Sequence, residues 1–472
     1  MLAGCVACGD TVPDNDEQST SELEESTASV ETSVRDTLVL EDFGKYEFNI
    51  FGVTQAFAGD YLDVTEETGE PISDNVYKRN RAVENDYNIV LKFHSIDWNE
   101  GSNKICEIIL AGDDTYDLLT CVHLSIAQLM ADNYFVDWKT LPEIDLSRSC
   151  YVGAANETYS IGDKMPLLFG DFMETNFMRC WNFLFNKRLI GEYKLEDPYK
   201  VVDDGRWTMD YLIQVTRDIY SDLDGNSVMD ENDMYGLTTD RLATLDGFTR
   251  SLKMSGIKKD KDNLPELDFW KESTVTAYEK LYTLYYESPG TYASEENMTH
   301  VEDIFSVGRS VFAASRIDFV MKDAVRNMKD DYGIIPYPKL EESDDYATYL
   351  SGTFSAQMIG VTQPESDLHR TALITQALNA YSHEYVTPAI VETTLKTKAA
   401  RDEESIRMVN LVFDKRQYSF DSIDEGGFAF SPLQTVRTLI GAKKSKDIAS
   451  YYASKEKSAK AWIEKIIKAF EQ

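Results

Sequence analysis

The stretch at residues 179–210, RCWNFLFNKRLIGEYKLEDPYKVVDDGRWTMD, decides how the chain is organised. Phe183-Leu184-Phe185 is a short apolar run of strand-forming residues. Asn186-Lys187 follows, then a short helical pattern over 188–193. Asp197-Pro198 reads as a turn, because the residue before a proline is pushed out of the helical region. Asp203-Asp204-Gly205 reads as a flexible stop, and Thr208 as the cap of a new helix starting near Met209. Strand, helix, proline turn and capped helix, in that order, carry a chain out of one α/β lobe and into another.

Working upstream, 46–53 (YEFNIFGV) opens the first sheet. Ser73 caps a helix reaching about Tyr87, with Val76, Tyr77, Asn80 and Val83 on one stripe. Residues 88–93 form a largely apolar strand of the kind covered on both faces. A helix over 103–111 ends at Gly112, a strand covers 116–120, and a helix covers 124–132. Alternating strands and helices predict βαβ units and a doubly wound sheet. A ligand of such a sheet lies beyond the carboxyl ends of its strands. That points to Thr54-Gln55 and to Cys121-Val122-His123.

Downstream, helices are expected over 208–220 and 275–287. The segment 308–315 turns into a buried strand and 316–328 is helical after it. Two strand-like runs, 332–338 and 351–361, bracket a return to the first lobe. Helical patterns cover 366–382, 402–413 and 446–470, the last with Trp462, Ile463, Ile466, Ile467 and Phe470 at helical spacing.

A chain of 472 residues is too long for one core, so two lobes are expected, 41–182 with 333–400 and 183–332 with 401–472. Against 47 Lys and Arg stand 82 Asp and Glu, a net charge of −35. That balance excludes nucleic acid, which is bound by displacing counterions with basic side chains. It equally disfavours broad adhesion to anionic lipid. Leu2-Ala3-Gly4-Cys5 resembles the bacterial lipobox, where a peptidase cuts before a cysteine that becomes lipid-modified, here Cys5. The Ser, Thr, Glu and Asp tract over 10–35 cannot bury enough surface to offset its ordering entropy. Residues 1–40 thus read as lipid anchor and disordered tether. Cys5 and Cys8 have C-x-x-C spacing but no second pair beside them, while Cys106, Cys121, Cys150 and Cys180 read as buried thiols or one disulfide.

Residues 222–233, DLDGNSVMDEND, resemble a calcium loop of the EF-hand type. Side-chain oxygens of Asp222, Asp224, Asn226, Asp230 and Asp233, with the carbonyl of Val228, would wrap a hard cation in a structural site. Two positions depart from the pattern: Ser227 stands where glycine makes the sharp turn, and Asp233 where glutamate closes the loop. No G-x-S-x-G, H-E-x-x-H, phosphate loop or dinucleotide fingerprint occurs, and five scattered histidines make no metal cluster. Neither an enzyme nor a catalytic cofactor is expected.

The 179–210 segment is also similar to the first crossover of extracellular solute-binding proteins of bacterial ABC importers (family 1, sugar-type). Four further motifs agree in order: NVYKRNR at 75–81, GDDTYD at 112–117, DYGIIPYPK at 331–339, and 385–405, which resembles clostridial lipoprotein members. Where many relatives carry a tryptophan pair, this chain has Ser149-Cys150-Tyr151. The resemblance implies a two-lobed, periplasmic-binding-protein-like α/β fold of type II with its ligand cleft between the lobes. It implies a monomer on the outer face of the cell membrane that closes on a carbohydrate or oligosaccharide and presents it to ABC permease subunits. A receptor for a peptide or other polar solute is the alternative, and a secreted carbohydrate-active hydrolase the rival of another class. Sugar sites combine an aromatic face with planar polar groups. The candidates by position are Gln55, His123, Trp181, Arg316 and Asp318, with Trp138, Trp207 and Trp462 as packing residues.

Overall fold

Phe48 and Ile50 point to one side of the first strand and Phe51 to the other, yet all three are buried, as a strand covered on both faces requires. This strand, β1 (Tyr46–Thr54), pairs in parallel with β2 (Ile89–Asp97) and β3 (Leu118–Val122). The structure is a computed structural model and describes residues 33–54, 62–122, 130, 133–295, 298–350, 355–395, 403–424 and 428–470. It divides into Met1–Leu38, of which only a 3-10 turn at Val34–Thr37 and its flanks are described, and Val39–Gln472. Everything below concerns the second unit.

The helix Pro71–Tyr87 connects β1 to β2. Its cap is Glu70 rather than Ser73: the Glu70 carboxylate accepts from Ser73 N at 2.7 Å, because Pro71 occupies the first helical position, where no N–H is needed. Trp98–Leu110 connects β2 to β3, and the chain leaves it through Gly112 at φ +67°. The helix expected over 124–132 lies, apart from residue 130, outside the described residues.

The next strand, β4 (Trp181–Asn186), is buried at all six positions. It starts a second sheet with β5 (Tyr220–Ser221) and β6 (Met234–Asp240). Between them, Asp197-Pro198 opens the helix Pro198–Asp203 instead of making a turn. Asp197 accepts from Tyr199 N at 3.0 Å and Pro198 begins the helix, so the proline marks a helix start; the preceding helix has already ended at Glu192. Thr208 does cap Met209–Thr216, accepting from Tyr211 N. A hairpin, β7 (Ile257–Lys259) and β8 (Pro265–Leu267), stands apart from the second sheet. Further along come β9 (Thr291–Ser294), β10 (Ser310–Arg316) and β11 (Tyr332–Ile335). The expected helix over 316–328 is two short ones, Ile317–Val320 and Asp323–Arg326, because Lys322 between them is extended.

The second sheet has the order β11-β4-β10-β6-β5, with β9 also on β6. Strand β4 runs antiparallel to both β10 and β11, pairing Trp181 with Arg316 and Leu184 with Ile334. A two-stranded patch joins β12 (Thr348–Tyr349) to β14 (Arg416–Gln417). Between these in the chain, β13 (Ser355–Met358) returns to the first sheet and pairs antiparallel with β3, giving the order β13-β3-β1-β2. The chain therefore passes between the sheets before β4 and between β11 and β13. Cys106, Cys121, Cys150 and Cys180 are thiols, not disulfides.

Candidate functional site

Strands β6, β9 and β10 run parallel and end together at Asp240, Ser294 and Arg316. Because β4 runs the other way, its first residue, Trp181, sits beside Arg316 at that same end. The arrangement concentrates polar side chains where the strand order predicts a ligand. Asp240 caps the helix Ala243–Ser251, accepting from Leu242 N at 2.6 Å and Thr244 N at 3.3 Å. Burial pushes its carboxyl up to about 6 against these N–H donors.

Arg316 lies over the Trp181 ring, 5.2 Å from its centroid, with Tyr337 edge-on to the same indole. Trp181 is fully buried, and its Nε1 has no hydrogen-bond acceptor among the described residues. The Arg316 guanidinium grips Asp318 with two bonds, Nε to Oδ1 at 2.6 Å and Nη2 to Oδ2 at 2.7 Å. Arg179 Nη1 donates to the same Oδ2 at 2.9 Å. Burial would raise the Asp318 carboxyl, but the Arg316 and Arg179 guanidiniums outweigh it and hold it below its ordinary value. Burial, aided by Arg316, lowers Arg179 to about 10. In this ladder two guanidiniums thus share the Asp318 carboxylate, and the buried Glu174 carboxylate also acts on Arg179.

A second buried carboxylate lies near. Gly247 lets the Ala243–Ser251 helix settle on Tyr337, since a Cβ there would fall 2.3 Å from the tyrosine ring. Asp246, one residue earlier, accepts from Arg437 Nε at 2.9 Å and from Nη2 at 2.5 Å. Burial pushes Asp246 up to about 7 despite Arg437, and Asp240 adds to the rise.

Of the five candidate ligand residues, the structure thus brings Trp181, Arg316 and Asp318 together. Gln55 and His123 lie outside the described residues, in the segments that follow β1 and β3. Sequence reading missed Arg179, Asp246 and Arg437. Arg179 opened the deciding segment without any feature that marked it, and Asp246 and Arg437 are 191 residues apart.

In the acidic loop, carboxylate oxygens of Asp222, Asp224 and Asp233 lie within 4.8 Å of one another. Asp233 is fully buried and accepts from Leu223 N and the Tyr220 hydroxyl, each at 3.0 Å. Asn226 donates its amide to Asp224 and Asp230, and Val228 is exposed. Ser227 takes φ +60°, the left-handed turn that glycine usually supplies at this position. Three converging carboxylates fit a hard, oxygen-liganded cation.

No protein-family model matches the chain, and neither does any curated protein. Solved structures do. The cyclic α-maltosyl-1,6-maltose-binding protein from Arthrobacter globiformis is 15% identical, with 89% of this chain and 99% of that one covered and a TM-score of 0.61. The GacH receptor of Streptomyces glaucescens, solved unliganded and with acarbose, is 13% identical over 88% of this chain and 99% of its own, at 0.56. An ABC substrate-binding protein from Listeria monocytogenes in complex with cycloalternan is 15% identical over 90% and 99%, at 0.52. This chain has the two-lobed α/β fold of the periplasmic solute-binding proteins. The three solved structures are, in turn, a cyclic α-maltosyl-1,6-maltose-binding protein, a receptor solved with acarbose and an ABC substrate-binding protein solved with cycloalternan.

Proposed function

We propose that the chain is the substrate-binding lipoprotein of an ABC importer, capturing a carbohydrate or oligosaccharide on the outer face of the cell membrane and handing it to permease subunits. The observation that carries this reading is the likeness to solved sugar receptors over about nine-tenths of the chain. In this proposal the two lobes, 41–182 with 333–400 and 183–332 with 401–472, close as jaws on passages near β4 and β11. Closure buries a small guest between them. Arg316 and Asp318 face it from the second jaw, Gln55 and His123 from the first, and the buried Trp181 indole backs Arg316 at the joint. Arg316 is held rigid by Asp318 and the indole, so its place beside the guest is set before closure. Cys5 carries the lipid and residues 1–40 tether a monomeric receptor. The loop at 222–233 holds calcium through Asp222, Asp224, Asn226, Asp230, Asp233 and the Val228 carbonyl, as a structural ion.

The test is a thermal-shift screen of the purified chain against linear and cyclic oligosaccharides, monosaccharides and short peptides. A guest present at 100 times its Kd adds about 2.7 kcal/mol to folding stability. A sugar is expected to raise Tm, to leave the assay with its glycosidic bonds intact, and to lose its effect in Arg316→Gln. A rise with peptides and none with any sugar would replace the carbohydrate reading.

A further inference from the structure

His383 lies 234 residues from Ser149 and 212 from Asp171 along the chain, yet the three side chains form one hydrogen-bonded line. Asp171 Oδ2 lies 2.6 Å from His383 Nδ1, and His383 Nε2 lies 3.1 Å from Ser149 Oγ. A carboxylate only accepts, so Nδ1 carries a proton, and when the ring is neutral its Nε2 lone pair faces the serine hydroxyl. Thr387 Oγ1 donates to the same Asp171 oxygen at 3.0 Å. Asp171 is buried, His383 is half-exposed, and Ser149 is open to solvent.

The line is built into the fold. Tyr151 and Gly170 form a β-bridge, and Asp171 N donates to Cys150 O at 2.9 Å, which ties the serine turn to the aspartate. Gly170 has no side chain where Asn379 comes in: a Cβ there would fall 2.1 Å from Asn379 Oδ1, which instead accepts from Phe172 N at 3.1 Å. After the helix Glu365–Tyr381, residues Ser382–Val386 form a π-helical turn that aims His383 at Asp171. Such turns interrupt a helix at a cost and are enriched at functional sites. Ser382 of that turn accepts from the buried Arg79 at 3.3 Å. Ser149 N makes no hydrogen bond among the described residues, so a main-chain donor is left beside the hydroxyl.

We propose that Ser149, His383 and Asp171 form a hydrolytic triad acting on small, solvent-accessible acyl esters. Ser149 Oγ attacks the ester carbonyl carbon while its proton passes to His383 Nε2. The carbon–oxygen bond to the alcohol breaks, and His383 returns the proton to the departing alkoxide. Water then repeats the sequence on the acyl-serine, releasing the carboxylic acid and restoring the hydroxyl. The balance is ester plus water to acid plus alcohol, with nothing oxidised or reduced. Asp171 acts through His383, fixing its tautomer. The open setting of Ser149 leaves its hydroxyl within reach of small esters in solution. Glycosidic bonds are outside this chemistry, so it is compatible with capture of an intact sugar.

The experiment uses the purified full chain with 4-nitrophenyl acetate as substrate and a tagged fluorophosphonate as label, mapped by peptide mass spectrometry. Native protein should be labelled at Ser149, and heat-unfolded protein should not. Hydrolysis should fall at least ~100-fold in Ser149→Ala and in His383→Gln, the size of a general-base contribution. Ser149 is exposed, so Ser149→Ala should melt at the parental temperature and separates loss of chemistry from loss of fold. Hydrolysis by Ser149→Ala at the parental rate, or folded parental protein whose Ser149 takes no label, would overturn the proposal.

Discussion

Asp318 and Asp233 are both buried carboxylates, and the chain treats them in opposite ways. Asp318 receives two guanidiniums, one from Arg316 two residues away and one from Arg179, 139 residues away. Asp233 receives a main-chain N–H and a tyrosine hydroxyl from within 13 residues, and no basic side chain forms an ion pair with it among the described residues. The same holds for Asp222 and Asp224 beside it, while Arg309 pulls on Asp230 only at longer range. One region supplies its own counter-charge and is electrostatically complete once folded. The other gathers negative charge with no basic side chain paired to it among the described residues. Pre-organisation therefore belongs to the strand ends of the second sheet, and under the proposed calcium site ion-dependent stability would belong to the 222–233 loop.

The largest test of this contrast removes the centre of the ladder. Asp318→Ala strands Arg179 and Arg316 without their shared carboxylate, and breaking a buried pair in this way costs about 3–5 kcal/mol. Urea unfolding of the variant should show a loss of that size. Asp233→Asn keeps an acceptor for Leu223 N and should cost far less. Equal losses in the two variants would erase the distinction.

The second test follows pH at the neighbouring Asp246, which faces Arg437, Arg316, Asp240 and Tyr337. Its folded value near 7 stands above the ordinary 3.8. Between those values the folded chain keeps a proton that the unfolded chain has released, so stability falls as pH rises through the window, by at most about 1.4 kcal/mol per unit. Asp240, raised to about 6, acts in the same direction. Asp246→Asn should flatten the fall in Tm with rising pH without abolishing it. A variant with the parental slope would remove Asp246 from this account.

Much of the architecture was legible because it is written in local patterns. The apolar runs of β1 and β4 and the capping oxygen of Thr208 each act over a few residues, and each appeared where expected. The Asp197-Pro198 pair shows the limit. A proline excludes itself from a helix interior but is at home in the first turn, so the same dipeptide marks either a stop or a start. At the candidate site, Trp181, Arg316 and Asp318 lie together because each flanks a strand end. Arg179 and the Asp246–Arg437 pair were not legible, since a bond spanning 139 or 191 residues leaves no periodicity behind. The Ser149–His383–Asp171 line escaped for the same reason. Its histidine was one of five scattered along the sequence, and only the π-turn and the Tyr151–Gly170 bridge give it partners.

Calcium supplies the smallest and most discriminating test of the contrast. With Kd at ~10⁻⁴–10⁻³ M, as in extracellular modules, about 10 mM calcium should add roughly 1.4–2.7 kcal/mol to folding stability. The gain should vanish in Asp224→Ala, which removes one of the three converging carboxylates, and should be absent with sodium at matched ionic strength. Persistence of the calcium effect in Asp224→Ala would put the ion elsewhere. Within the loop, Ser227 at φ +60° bears a backbone cost of roughly 1 kcal/mol that glycine would not bear. Glycine also gives back some of that gain, because it frees the unfolded chain. Ser227→Gly should therefore raise Tm by less than the calcium effect itself, with calcium or without it. Relief of strain in the apo loop predicts equal gains in the two conditions. A gain confined to calcium would mean instead that Ser227 reaches this conformation only around the ion, and that the 222–233 loop is shaped by its ligand rather than in advance of it.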